Sequence, residues 1–174
     1  MRTLWLMAIG ATLAAQLAAQ EFHPPPVQRG RPNGTRLGLF GFGVRSGVDF
    51  KGNGEFVLGV ALDAGNLFVN RLRLRPSVEL GVLSGTDTYV GSLELLYHFA
   101  DDDQAALPYA GTGVAVAGHA ACAADPNCPG LWLNIVVGIE VRFRSTFNWL
   151  LEYHALDAFQ RSRLYLGLTT RRGN

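Results

Sequence analysis

Short runs of alternating apolar and polar residues constrain this chain more than any other feature. In the clearest run, 71–82, the even positions are apolar, and the odd positions carry the charged residues Arg71, Arg73, Arg75 and Glu79. Successive side chains of a β-strand point to opposite faces, so this spacing predicts a strand with one apolar and one charged face. The same alternation recurs at 55–63, 88–99, 131–143, 147–154 and 163–171.

Two further runs, 36–46 and 107–118, are rich in glycine and alternate less clearly. The sequence of 107–118 does not show which of its two faces points inward. Clusters of Gly, Asp, Asn and Pro separate the runs, as expected of turns between strands. The sequence therefore predicts an all-β chain that forms one up-and-down antiparallel β-barrel of about eight strands.

The N-terminus has the pattern of an export signal. Arg2 supplies a positive charge, 4–17 is apolar and rich in alanine, and no acidic residue precedes Glu21. The apolar stretch is shorter than the roughly 20 residues that a membrane-spanning helix needs. We therefore predict a signal peptide over 1–20, a proline-rich lead-in over 21–35 and a barrel over 36–174. An uncleaved N-terminal anchor is the alternative.

The two cysteines, Cys122 and Cys128, lie close together in the sequence. An exported chain reaches an oxidising compartment, where such a pair can close a loop. A metal site is the alternative, but two thiols without histidines in zinc-type spacing do not make one. We predict a disulfide, no metal and no cofactor.

The charged strand faces decide which side of the barrel points inward. They combine Arg with Glu and Asp, and Lys51 is the only lysine of the chain. Arginine offers a planar fork to carboxylates, and buried charges must be paired, so this composition favours a packed polar interior. The predicted interior network comprises Arg71, Arg73, Arg75, Glu79, Glu94, Glu140, Arg142, Glu152, His154 and Arg163. A soluble sheet with ordinary surface charges is the alternative.

Aromatic residues and loops fit the same inside-out arrangement. Aromatic side chains fall near the ends of the apolar faces, as in the girdles of membrane barrels, at Tyr89, Tyr97, Phe99, Phe143, Phe147 and Tyr153. The longest connection, 118–130, falls on the side opposite the chain ends, where outer-membrane barrels carry their longer loops. A barrel of about eight strands is filled by side chains and leaves no wide pore.

The phrases Leu107-Pro108-Tyr109-Ala110-Gly111-Thr112-Gly113 and Gly138-Ile139-Glu140-Val141-Arg142-Phe143 resemble a known family. The chain resembles the small eight-stranded outer-membrane β-barrel proteins, of the OmpX and OmpA transmembrane-domain type, over about 36–171. This resemblance implies a monomer in the outer membrane of a Gram-negative cell. It also implies contact with outer-membrane lipid, lipopolysaccharide included, and insertion by the barrel-assembly machinery. The net charge of +1 gives no case for a nucleic-acid partner.

The sequence predicts a structural or interaction role for this barrel rather than wide-pore transport, and no enzymatic activity. One alternative is a lipid A-modifying enzyme of the deacylase kind, with His154, Ser162 and Glu152 as candidate catalytic residues. The His-x-Ser phrase of that family is missing, since His154 is followed by Ala155 and Leu156. The other alternative is a soluble lipocalin-like barrel that binds an apolar ligand.

Overall fold

The computed structural model of the chain describes residues 34–51, 54–82, 87–124, 128–157 and 159–172. Eight antiparallel strands form a closed barrel in which each strand pairs with its neighbours in sequence and β8 pairs with β1. The strands are β1 (Arg36–Asp49), β2 (Glu55–Asn66), β3 (Leu72–Val82), β4 (Thr88–His98), β5 (Ala106–His119), β6 (Gly130–Arg142), β7 (Phe147–Leu156) and β8 (Arg161–Thr170).

The predicted all-β up-and-down barrel is confirmed. The predicted signal peptide, 1–20, and all but the last two residues of the predicted lead-in, 21–35, lie outside the described residues. No helix in the described part of the chain is long and apolar enough to span a membrane.

The strand faces follow the alternation in the sequence. Odd positions point inward on β3, where Arg75, Ser77 and Glu79 are buried, and Val78 and Leu80 are exposed outside. On β5, which the sequence left unassigned, Leu107, Tyr109, Ala115 and Ala117 also face inward. Because the period of a strand is two, one pairing register assigns every residue of the strand to a face.

The barrel wall has the opposite polarity to that of a soluble protein. Its outer face carries exposed large apolar side chains on every strand, such as Val44, Leu58, Leu93 and Leu166. Its interior holds buried Arg, Asp, Glu, His and Asn side chains, with Arg163 and Glu152 fully buried. A lipocalin-like barrel would place the apolar face inside, so the soluble lipocalin-like alternative is wrong.

Two tyrosines reach the centre of the barrel by lying across glycines. Tyr165 pairs with Gly47 on β1, and Tyr109 pairs with Gly138 on β6. A Cβ atom added at Gly138 would lie 2.6 Å from Cζ of Tyr109, and one at Gly47 would lie 2.7 Å from Cδ1 of Tyr165. These glycines therefore give each ring the room it needs to cross the interior.

The two ends of the barrel differ. One end, called here the loop end, carries the connections 50–54, 83–87, 120–129 and 157–160. The opposite end, the terminal end, carries 67–71, 99–105 and 143–146 together with the first residue of β1 and the last of β8. The longest connection, 120–129, lies at the loop end as predicted. The other connections are of similar length at both ends. The loop end therefore has longer connections than the terminal end only through 120–129.

Candidate functional site

Arg45, on β1, lies at the centre of the interior and is 3% exposed. Its guanidinium donates to Glu152 Oε2 at 2.5 Å and to Glu79 Oε1 at 2.6 Å. Its Cζ atom lies over the ring of Tyr165, 4.9 Å from the ring centroid. These partners come from β7, β3 and β8, so one side chain joins four strands across the barrel. Guanidinium–carboxylate contacts of this kind are among the stronger hydrogen bonds in proteins.

A second arginine, Arg75 on β3, completes the neutralisation of the carboxylates. Its Nε donates to Glu94 Oε2 at 2.8 Å, and its Nη2 also contacts Glu152. The Tyr109 hydroxyl donates to Glu152 Oε1 at 2.6 Å, and Asn134 Nδ2 donates to Glu94 Oε1 at 2.9 Å. Glu94 and Glu152 therefore each receive hydrogen bonds from at least two other strands, which is the condition for tolerating charge in an interior.

Toward the loop end, further arginine–carboxylate pairs adjoin those of Arg45 and Arg75. Arg163 donates to Glu79 Oε2 at 2.6 Å and to Asp49 Oδ2 at 2.8 Å. Arg161 then connects Asp49, at 2.9 Å, with Glu55, at 3.2 Å. We call the connected buried groups the central network: Arg45, Asp49, Arg75, Glu79, Glu94, Glu152, His154 and Arg163. His154 joins it through Glu152 and Asn134, at 3.3 Å from each.

The structure brings together six of the ten residues predicted for the interior: Arg75, Glu79, Glu94, Glu152, His154 and Arg163. Arg73 and Glu140 face the interior at the terminal end, apart from the central network. Arg73 pairs with Asp102 and lies 3.9 Å from Asp63, and Glu140 accepts a hydrogen bond from Asn148 at 2.9 Å.

Two of the predicted interior residues lie outside the barrel interior. Arg71 precedes the first residue of β3, its side chain is 43% exposed, and it pairs with Asp101 in the neighbouring turn at 2.9 Å. Arg142 is the last residue of β6 and is exposed, and it donates to the backbone carbonyls of Asp103 and Gln104. One residue precedes a strand and the other ends one, and at such positions the chain no longer holds side chains over the interior.

The sequence did not identify Arg45, the residue with the most partners in the central network. The signal was present, because Gly41, Gly43, Arg45, Gly47 and Asp49 share one face and the exposed Phe42, Val44 and Val48 share the other. Glycine at three of these inward positions obscured the charged face. The sequence also did not identify the hydroxyls of Tyr109 and Tyr165 as part of the interior. Tyrosine occurs on either face of a membrane barrel, so its residue type does not assign it to a face.

The terminal end contains a cavity of about 50 Å³ that the central network does not fill. Its charged and polar lining includes Arg73, Arg172, Asp63, Asp102, His98 and Glu140. Arg172, just after β8, donates to Asp63 at 2.8 Å and lies 4.5 Å from the ring centroid of Phe40. Burial lowers the pKa of Arg172 from its usual value, an effect that the neighbouring Asp63 carboxylate opposes.

The candidate catalytic residues of a deacylase do not come together. His154 lies inside the barrel and is almost fully buried. Ser162 lies on the outer side of β8, where its hydroxyl is 2.8 Å from the Tyr153 hydroxyl. A nucleophile and its base must lie within hydrogen-bond reach, and here the barrel wall separates them. Glu152 is instead bound by two arginines and a tyrosine.

The predicted disulfide between Cys122 and Cys128 is confirmed, with a Cα–Cα distance of 5.0 Å. It closes the longest connection at the loop end. Among the described residues, no group of three or more His, Cys, Asp or Glu side chains has the arrangement to hold a metal ion.

Comparison with known proteins gives structural likeness alone. No protein-family model and no curated protein matches the chain. The N-terminal β-barrel domain of Pseudomonas aeruginosa OprF superposes with a TM-score of 0.57 at 15% identity, covering 76% of this chain and 98% of that one. Neisserial surface protein A (NspA) gives a TM-score of 0.52 at 10% identity, covering 77% and 95%. The outer membrane enzyme PagL gives a TM-score of 0.47 at 11% identity, and the superposition covers 76% of this chain and 99% of that one.

At these identities the likeness concerns the fold. The first two superpositions agree with the closed, antiparallel barrel of eight strands. The chain therefore has the fold of the small eight-stranded outer-membrane β-barrels.

Proposed function

We propose that this protein is an integral barrel of the Gram-negative outer membrane, with a structural or interaction role and no wide-pore transport. The inverted polarity of its wall is the observation that carries this proposal. Val78, Leu80 and Leu166 are 62%, 56% and 61% exposed on the outer face, while charged groups fill the interior. Lipid is the environment that favours exposed apolar side chains around a closed strand barrel.

The central network supports a closed interior. Arg45, Arg75 and Arg163 bind carboxylates from several strands across the barrel, and the contacts are direct. An eight-stranded barrel has an interior just wide enough for side chains. We infer that the protein does not conduct solutes through its centre.

A charge placed on the outer wall tests the membrane location. Val78→Arg alters a residue that is already exposed, so in water the substitution should be nearly neutral. In lipid, an arginine near the middle of the bilayer costs about 2–4 kcal/mol. We expect Val78→Arg to reduce the folded fraction in lipid vesicles. Phe159→Arg, a substitution of an equally exposed residue in the 157–160 connection, should leave that fraction unchanged.

Cell fractionation and electrical recording complete the test. We expect the wild-type protein in the outer-membrane fraction, resistant to a carbonate wash, and no stable channels in planar bilayers. Recovery in the soluble fraction, or equal folding of Val78→Arg and wild type in vesicles, would contradict membrane insertion. Long-lived open channels would contradict the closed interior.

A further inference from the structure

The cavity at the terminal end concentrates polar groups that the barrel itself does not satisfy. Among the described residues, buried side-chain atoms without a hydrogen-bond partner include Nε of Arg45, Arg73 and Arg172, Nδ1 of His98 and Oδ1 of Asn148. All five residues line this cavity. Buried polar groups are normally paired, so a cluster of unpaired ones around one space indicates a ligand or solvent site.

The unpaired groups are mainly donors. The three arginine Nε–H groups can only donate, and His98 Nδ1 can donate in one tautomer. Asn148 Oδ1 is an acceptor, and Thr169 Oγ1, which also lines the cavity without a partner, can donate or accept. His98 and Asn148 are each 3% exposed, so both belong to the interior and not to the rim. A ligand that satisfies this set must be rich in acceptors.

The arginines that line the cavity favour an anionic ligand, and the carboxylates that line it oppose one. Arg73 and Arg172 share Asp63, and Arg73 also pairs with Asp102. These two carboxylates take up Nη atoms of the guanidinium groups and leave the Nε atoms without a partner. Glu140 also faces the cavity and opposes an anion. Binding should therefore be stronger when one of these carboxylates is removed.

The size of the cavity limits the ligand to a few heavy atoms. A site for one water molecule needs about 10–15 Å³, so a cavity of about 50 Å³ holds roughly three to five atoms of that size. Inorganic phosphate or sulfate fits this volume, whereas a sugar or a nucleotide does not. Asp102, 40% exposed, lies on the open side of the cavity toward the terminal end.

We propose that the terminal-end cavity binds a small free oxyanion through Arg73, Arg172 and His98. This site goes beyond the proposed membrane role, and detergent-folded protein suffices to test it. The ligand enters from the side of the barrel that carries the chain ends.

Titration calorimetry with inorganic phosphate tests the site, with chloride replacing phosphate to hold the ionic strength constant. We expect saturable binding of one phosphate per barrel by the wild-type protein. Arg73→Gln removes a charged donor and should weaken binding about tenfold or more. Arg71→Gln is the matched control, because Arg71 lies two positions away but pairs with Asp101 in the turn and does not line the cavity. Its affinity should equal that of the wild type.

Two further variants keep the test independent of folding. Arg172 lies after the last strand, so its substitution does not alter the strand pairing of the barrel. Arg172→Gln should also weaken phosphate binding about tenfold. Asp102→Asn removes an opposing charge and should tighten binding several-fold, a gain that general destabilisation would not produce. The site would be rejected if phosphate gave no saturable signal above chloride. Equal weakening by Arg71→Gln and Arg73→Gln, or weakening by Asp102→Asn, would also overturn it.

Discussion

The central network and the terminal-end cavity use the same residue types in opposite ways. Glu152, in the central network, receives hydrogen bonds from Arg45 on β1 and Tyr109 on β5, and it also contacts Arg75 on β3. Glu140, at the cavity, accepts a hydrogen bond from Asn148 on the adjacent strand. The first arrangement ties opposite walls of the barrel together, whereas the second connects neighbours that the backbone already pairs.

This difference separates two uses of buried charge. Where a charged side chain is paired with partners on opposite walls, as Arg45 is, its removal leaves those partners charged and without compensation. Where the groups lie near an opening, solvent or a ligand can replace the missing partner. Mutational effects should therefore fall from the centre of the barrel toward the terminal end.

Arg45→Ala should have the largest effect on stability. It leaves Glu79 and Glu152 without their central cation, and removal of one partner of a buried ion pair costs about 3–5 kcal/mol. We expect a large drop in the free energy of unfolding, measured by urea denaturation of the detergent-folded barrel. An unchanged urea midpoint would show that the central network does not hold the walls together.

Tyr165→Phe should have an intermediate effect. It removes the hydroxyl that donates to Glu79 Oε2 at 2.6 Å and keeps the ring in place across Gly47. A hydrogen bond to a buried charged group contributes about 1.5–3 kcal/mol, and we expect a loss near the lower limit because Arg45 and Arg163 remain. Tyr153→Phe is the control, since its hydroxyl contacts Ser162 on the outer wall. If both variants unfold at the same urea concentration, the interior hydroxyl has no special role.

Arg73→Ala should have the smallest effect among the interior arginines. Its partners Asp63 and Asp102 are partly exposed and can be rehydrated, so we expect a loss of about 1 kcal/mol by the same urea measurement. Arg71→Ala, which breaks the exposed pair with Asp101, should give no measurable change. A loss for Arg73→Ala as large as that for Arg45→Ala would remove the distinction between the two regions.

The alternation of residues was sufficient to predict the architecture. Runs such as 71–82 and 131–143 correspond closely to β3 and β6, and the scarcity of lysine indicated that the charged faces point inward. The disulfide follows from the spacing of Cys122 and Cys128 in a chain that is predicted to be exported. These features are local, because a strand's period and a short loop each involve only neighbouring residues.

The partners inside the barrel could not be predicted in the same way. Arg45 meets Glu152, a residue 107 positions away, and Arg163 meets Glu79, 84 positions away. Such contacts depend on the stagger between eight strands and on closure of β1 against β8. The sequence alone determined the alternation of inward and outward faces along most strands, but not the faces of β5 or of the strand ends. Tertiary structure alone decided which of the inward side chains neutralise one another and where space remains, because those distances arise only when the sheet closes on itself.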